Sequence, residues 1–207
     1  MSINALVCAA PGELKLETRP RPPSSADGVL VRPRRIGICG TDYHIFEGKH
    51  PFLQYPRIMG HELAVEVVEP GNSGLAEGTI CVVNPYLSCG TCHACSRGKP
   101  NCCTRISVLG VHQDGGMQEL IVLPAANLLP APGLSIDGCA TVEFLAIGAH
   151  AVRRGGVSSA DAVLVIRLAR SADVALAFFK SGCMVARGGM HRAMADQLLL
   201  QLHRGEV

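Results

Sequence analysis

Two groups of side chains in this sequence carry donor atoms suited to a soft metal ion. The first is Cys89, Cys92, Cys95 and Cys103, spaced C-x2-C-x2-C-x7-C in a stretch rich in Gly and Pro. Zinc takes four thiolates in a tetrahedron, and spacings this short let a single loop wrap around the ion. With every position filled by protein, water and substrate are excluded, so the role is structural: the metal replaces a core that the loop lacks. Cys102 is adjacent, but Cys103 fits the spacing better. Unrelated buried or disulfide-bonded cysteines are one rival reading. A nucleic-acid zinc ribbon is another, but it pairs two separated knuckles among basic and aromatic residues. Here only Arg97, Lys99 and Arg105 lie close by, with no aromatic.

The second group spans residues 38–47 (ICGTDYHIFE) and 59–62 (MGHE). A catalytic zinc needs three protein ligands and one open position. The Cys39 thiolate and the His61 imidazole suit it, and Glu62 or Glu143 completes the set. Each residue alone has a bland reading, a packed cysteine or a satisfied polar histidine. Their conjunction with the downstream four-cysteine loop carries the metal reading. Asp42 reads either as a helix cap or as a carboxylate orienting a nearby Arg or His. His112 and His150 read as structural polar groups, and Tyr43, Phe46 and Phe52 as packing or pocket lining.

The string C-G-T-D-x-H, then G-H-E, the four-cysteine loop and V-L-G-V-H-x-D-G-G-M together resemble the zinc-dependent medium-chain alcohol and polyol dehydrogenases. The sorbitol, threonine and sugar-acid branch is most similar, and the resemblance extends over about residues 1–166. It implies a GroES-like catalytic domain, one catalytic and one structural zinc, NAD or NADP, and a small-molecule alcohol as substrate. Relatives form homo-oligomers. Alcohol dehydrogenases are the standing example of such a catalytic zinc, so the ligand logic is the family's own. The resemblance makes Cys39 and His61 zinc ligands, and Glu62 a third ligand or a carboxylate that exchanges with water. Glu143 stands where this branch has a second metal-approaching glutamate, although Phe144 follows it in place of the family's proline. Thr41 and His44, two and five residues after Cys39, match the family's proton relay.

These side chains need a scaffold. The chain has 207 residues, 48% of them hydrophobic and 17% charged, with a net charge of +2. A charge so near zero argues against nucleic acid or an anionic membrane as the main partner. No apolar run reaches the ~18 residues of a spanning helix, and residues 1–10 lack the features of an export signal. The expected location is the cytoplasm. Short β-type runs at residues 3–9, 14–18, 29–31, 64–68, 79–83 and 118–123 are separated by Gly and Pro, with a clear turn at residues 71–74 and an extended connector at 19–27. From residue 138 the texture changes: a buried helix over 138–154, a strand at 162–166, a helix at 174–180, a short strand at 183–186 and an amphipathic helix at 193–203. The fold class expected is α/β, a β-rich GroES-like domain over residues 1–137 followed by a partial Rossmann-type segment over 138–207.

That last segment departs from the family where the cofactor should sit. A dinucleotide fold needs a glycine-rich turn after its first strand, so that backbone can approach the pyrophosphate. Residues 167–173 read RLARSAD and contain no glycine. The family turn commonly reads A-G-P-I-G. One choice of codons for that peptide, read one base later and with a following G, gives Leu-Ala-Arg-Ser-Ala, which is Leu168 to Ala172. A short reading-frame slip is one hypothesis for the altered turn, and chance agreement through codon degeneracy is the other. After residue 186 only about 20 residues remain, against about 30 for each βαβ unit, and impaired turnover is expected.

Overall fold

The computed structural model describes residues 2–23, 26–51, 53–156, 163–167, 175–179 and 184–185. They belong to two compact units, residues 1–148 and 149–207.

The first unit is built on strands whose apolar residues recur every second position. β3 (Gly28–Gly37), β5 (Glu62–Glu69), β6 (Ile80–Val83), β9 (Ile121–Pro124) and β10 (Leu128–Pro130) form one antiparallel sheet in the order β10-β6-β5-β3-β9. Val29 and Val31, Leu63, Val65 and Val67, Cys81 and Val83, and Ile121 and Leu123 all point into one buried cluster, as the period of two requires. The opposite face is used as well: Ala64 and Val82 pack against Cys139 and Ala140 of a short helix, Ile136–Ala140. Burial on both faces explains why Leu63, Ala64 and Val65 of β5 are apolar in succession.

A second sheet joins β1 (Ser2–Ala10), β2 (Glu13–Pro20) and β4 (Arg57–Ile58) in the order β2-β1-β4. Ala5, Val7 and Cys8 of β1 pack with Ile45, Ile58, Met59, Val111 and Met117. β2 is an exposed edge whose Glu13, Lys15, Glu17 and Arg19 carry charge, which discourages pairing with a second chain. β7 (Tyr86–Leu87) and β8 (Ser107–Val108) form a small ribbon. Two short helices complete the loops, α1 (Gly40–Phe46) and α2 (His93–Ser96).

Each β-run expected in this unit is present, with boundaries shifted by a few residues. The turn at residues 71–74 is closed by Ser73 N donating to Pro70 O at 3.1 Å, with Gly71 and Gly74 at positive φ. β4, β7 and β8, two residues each, are too short to leave a period in the sequence.

The expected buried helix over 138–154 is corrected. It is two helices, α3 (Ile136–Ala140) and α4 (Val142–Arg154), with Thr141 capping the first. α3 buries Cys139 and Ala140, whereas α4 buries nothing and leaves Phe144, Leu145 and Ile147 about half exposed. An apolar stripe records a face that wants cover, not one that has it. The first unit accordingly runs to Gly148, past the change of texture at residue 137.

In the second unit the expected strand is present as β11 (Val163–Arg167). The helix expected at 174–180 is corrected to a strand, β12 (Ala175–Phe179), followed by β13 (Met184–Val185). The three pair antiparallel, in the order β11-β12-β13. The run ALAFF fits either period, and such short apolar runs are ambiguous until a neighbour decides them. The altered turn at 168–173 and the helix expected at 193–203 lie outside the described residues.

Candidate metal centres

Cys39 stands between the end of β3 and the start of α1, where its backbone is extended and its side chain caps the helix. Cys39 Sγ accepts from Thr41 N at 3.2 Å, and Asp42 Oδ2 accepts from Cys39 N at 3.0 Å. This reciprocal capping fixes the thiol at the site. His61 reaches it from the segment between β4 and β5, with Nε2 3.0 Å from Cys39 Sγ. A tetrahedral zinc would hold such a sulfur and nitrogen about 3.5 Å apart, so a shift of about half an ångström admits the ion.

Backbone packed on backbone positions His61. Gly115 N donates to Ile58 O at 2.7 Å, Gly116 N to Gly60 O at 2.8 Å and Met117 N to Met59 O at 3.0 Å. A side chain at Gly115 would run into the carbonyl oxygens of Gly60 and Met59, and one at Gly110 would lie 2.9 Å from Gly60 N. The motif at residues 108–117 is thus a bed for His61, and its His112 is structural: Nδ1 accepts from Val108 N at 3.1 Å.

Asp42 fills the capping role considered for it and lies close behind a histidine without hydrogen-bonding to it. Besides capping α1, its buried carboxylate accepts from Gly60 N at 3.3 Å, and Oδ1 lies 3.9 Å from His61 Nδ1. That ring nitrogen is buried without a hydrogen-bond partner. A carboxylate behind a histidine, with the other ring nitrogen aimed at a thiol, is the support a metal-bound imidazole needs.

Two more carboxylates converge. Glu62 opens β5 opposite Gly37, and the missing side chain at Gly37 leaves the space that the Glu62 carboxylate occupies. Glu143, in the first turn of α4, joins it: donor atoms of His61, Glu62 and Glu143 all lie within 4.8 Å of one another, as do those of Cys39, Asp42 and His61. Burial pushes the Glu62 carboxyl up from its ordinary range; the charge of His61 opposes this, and Glu143 and Asp42 add to it. Thr41 and His44, three residues apart on α1, share one helix face; Thr41 is half-buried and His44 exposed. Tyr43 is exposed, Phe46 packs into the core of the second sheet, and Phe52 lies outside the described residues.

The four-cysteine loop leaves β7 at Cys89 and returns to β8 after Cys103. The four sulfurs lie within 4.8 Å of one another, with Cys92 and Cys95 at 3.5 Å. Cys103 is buried and Cys102 exposed, and all cysteines of the described residues are free. Backbone N–H groups face the sulfurs: Cys89 N and Arg105 N donate to Cys103 Sγ, each at 3.3 Å, and Cys92 N to Cys89 Sγ at 3.4 Å. Hydrogen bonds from the Thr91 and Cys92 backbone hold the Cys89 thiol down to about 5. A thiolate is therefore available to metal at neutral pH.

His61 gives a pH prediction. Burial alone would lower its pKa, but the hydrogen bond and charge of Cys39, with Asp42 and Glu143, outweigh it and set the metal-free value at about 9. A folded pKa above the unfolded one contributes stability below pH ~6.5 that is lost as pH rises through about 9. A metal ion needs the neutral ring, so it must displace this proton. Zinc affinity at this site is expected to rise about tenfold per pH unit up to pH ~9 from this proton alone, as chelator competition across pH 6–9 would measure.

Comparison with known proteins places the chain. Residues 25–133 match the alcohol dehydrogenase GroES-like domain, and the chain belongs to that family. It is 43% identical over 167 residues to L-galactonate-5-dehydrogenase of Escherichia coli K12, covering 80% of this chain and 49% of the relative. Among solved structures, an alcohol dehydrogenase from E. coli CFT073 complexed with NADH superposes with a TM-score of 0.70 at 35% identity, over 76% of this chain and 47% of that one. A zinc-binding dehydrogenase from Sinorhizobium meliloti bound to NADP gives 0.69 at 31%, over 74% and 46%. The chain spans about half the length of the curated relatives it matches. Among the described residues no helix is long and apolar enough to cross a membrane.

One residue at the site was not anticipated. Tyr86 donates its phenolic hydrogen to Glu143 Oε1 at 3.2 Å. A single tyrosine ahead of a cysteine loop carries no sequence signal that would have marked it.

Proposed function

We propose that this chain carries the zinc-binding half of an oxidoreductase that oxidises a secondary alcohol of a polyol or sugar acid with NAD or NADP. One observation supports this best: Cys39 Sγ and His61 Nε2 stand 3.0 Å apart beside two carboxylates. Such a mixed donor set leaves a corner for a substrate oxygen, unlike the closed set of Cys89, Cys92, Cys95 and Cys103. The relative named L-galactonate-5-dehydrogenase supports a polyhydroxylated acid as substrate.

In this reading Cys39 and His61 would hold the ion, and Glu62 or Glu143 would supply the third ligand. Zinc contributes Lewis acidity, lowering the pKa of a bound alcohol towards neutrality. The Thr41 hydroxyl would accept the alcohol proton, and His44, exposed on the same face of α1, would carry it towards solvent. The Asp42 carboxylate, 3.9 Å behind His61 Nδ1, would place negative charge behind the imidazole. Residues 167–173 do not fit a nicotinamide dinucleotide, because RLARSAD has no glycine to let a pyrophosphate approach.

The same departure favours a second reading, a zinc-binding protein of this lineage without turnover. Titration with NADH, and absorbance assays with a panel of polyols and sugar acids, separate the two. The expected result is about two zinc ions per chain, weak or no NADH binding and little turnover. Robust NAD-dependent oxidation would overturn the reading of residues 167–173 and leave the first proposal standing alone.

A further inference from the structure

Glu143 is the metal-approaching carboxylate with the least support from its own element, because α4 buries none of its residues. A glutamate in a first helical turn, unsupported, would exchange among rotamers. The hydrogen bond from the Tyr86 phenol to Oε1 restrains it. Holding one carboxylate oxygen limits rotation of the group and leaves the second oxygen for the cluster with His61 and Glu62.

Tyr86 is itself firmly placed. Its backbone N donates to Asn84 Oδ1 at 3.1 Å, and its carbonyl accepts from Asn127 Nδ2 at 3.2 Å. The same buried Asn127 amide donates to Asn84 O at 2.7 Å, while Asn84 N donates to Asn127 O at 2.8 Å. Leu109 N closes on Pro85 O at 3.0 Å, and β7 pairs with β8 across Tyr86 and Val108. A buried amide with its hydrogen bonds satisfied on both sides is a rigid clamp. The phenol is therefore presented to Glu143 from a fixed backbone, three residues before the first sulfur of the four-cysteine loop.

We propose that Tyr86 is a positioning residue for the open metal site. It acts through Glu143, holding that carboxylate where it can approach the ion held by Cys39 and His61. The proposal rests on the open-site reading above. Its distinguishing consequence is that removing the phenol matters only while Glu143 is an acid: the two changes must be coupled, not additive.

The test is a double-mutant cycle of Tyr86→Phe and Glu143→Gln, read by zinc dissociation into a chromophoric chelator and by the visible spectrum of the cobalt-substituted protein. Tyr86→Phe is expected to speed zinc loss from the open site about 3- to 10-fold and to shift the cobalt bands, leaving the slower four-sulfur phase unchanged. In the Glu143→Gln background the same change should add less than about twofold. Equal effects in both backgrounds, or no effect of Tyr86→Phe alone, overturn the positioning role while the open site stands. A wild-type chain that holds zinc only in the four-sulfur loop overturns both.

Discussion

Cys39→Ser is expected to lower the zinc content from about two ions per chain to about one, and to weaken the open site at least about 100-fold. The change isolates the metal from the fold. Cys39 Sγ caps α1 by accepting from Thr41 N at 3.2 Å, and a serine hydroxyl is among the best groups for that task. Asp42 still binds the Cys39 backbone and Gly60 N, so His61 keeps its support. The metal-free variant should therefore melt within about 0.5 kcal/mol of the parent. His61 would meanwhile lose its largest raising influence, and its pKa should fall from about 9, a shift that proton NMR of the imidazole would follow. Unchanged zinc content would remove Cys39 from the site.

Cys103→Ser should have the opposite profile, a large structural effect with the open site spared. The loop between β7 and β8 has no core: α2 buries nothing, and Cys103 is its one buried hydrophobic residue. Order there depends on the ion, and structural zinc contributes about 10–16 kcal/mol in small zinc-dependent folds. With three sulfurs left, the loop should release its zinc to a mild chelator and open. Trypsin should then cut after Arg97 and Arg105, exposed positions that an ordered loop is expected to keep from the protease. The sheet of β3, β5 and β6 has its own apolar cluster and should survive as a resistant fragment. Continued protection at both arginines in the variant would show that the loop folds without its fourth sulfur.

Much of the candidate site was legible in the sequence, for an identifiable reason. Metal chemistry restricts both residue type and spacing, so C-x2-C-x2-C-x7-C and the Cys39 and His61 pair stand out from a background of packing residues. The strands of the first unit were readable because Val29 and Val31, or Leu63, Val65 and Val67, keep a period of two. Tyr86 was not readable, since its role comes from a contact with Glu143 that is long-range in sequence. Nor could the packing role of Gly115 be derived without the carbonyl oxygens of Gly60 and Met59 above it. Asp42 was half legible: its capping position follows from local sequence, but its place behind His61 depends on how the β4–β5 segment folds over α1. The helix expected at 174–180 failed because a five-residue apolar run takes its form from its neighbours, and here β11 and β13 flank it.

X-ray absorption at the zinc edge of the fully loaded protein tests the central claim most directly. A closed four-sulfur loop together with an open cysteine–histidine–carboxylate site should average about two and a half sulfur and one and a half nitrogen or oxygen donors per zinc. In Cys39→Ser the remaining ion should show sulfur alone. A wild-type spectrum with sulfur as its sole donor would contradict the open site, and with it the assignment of Cys39 and His61 to a metal that leaves room for substrate.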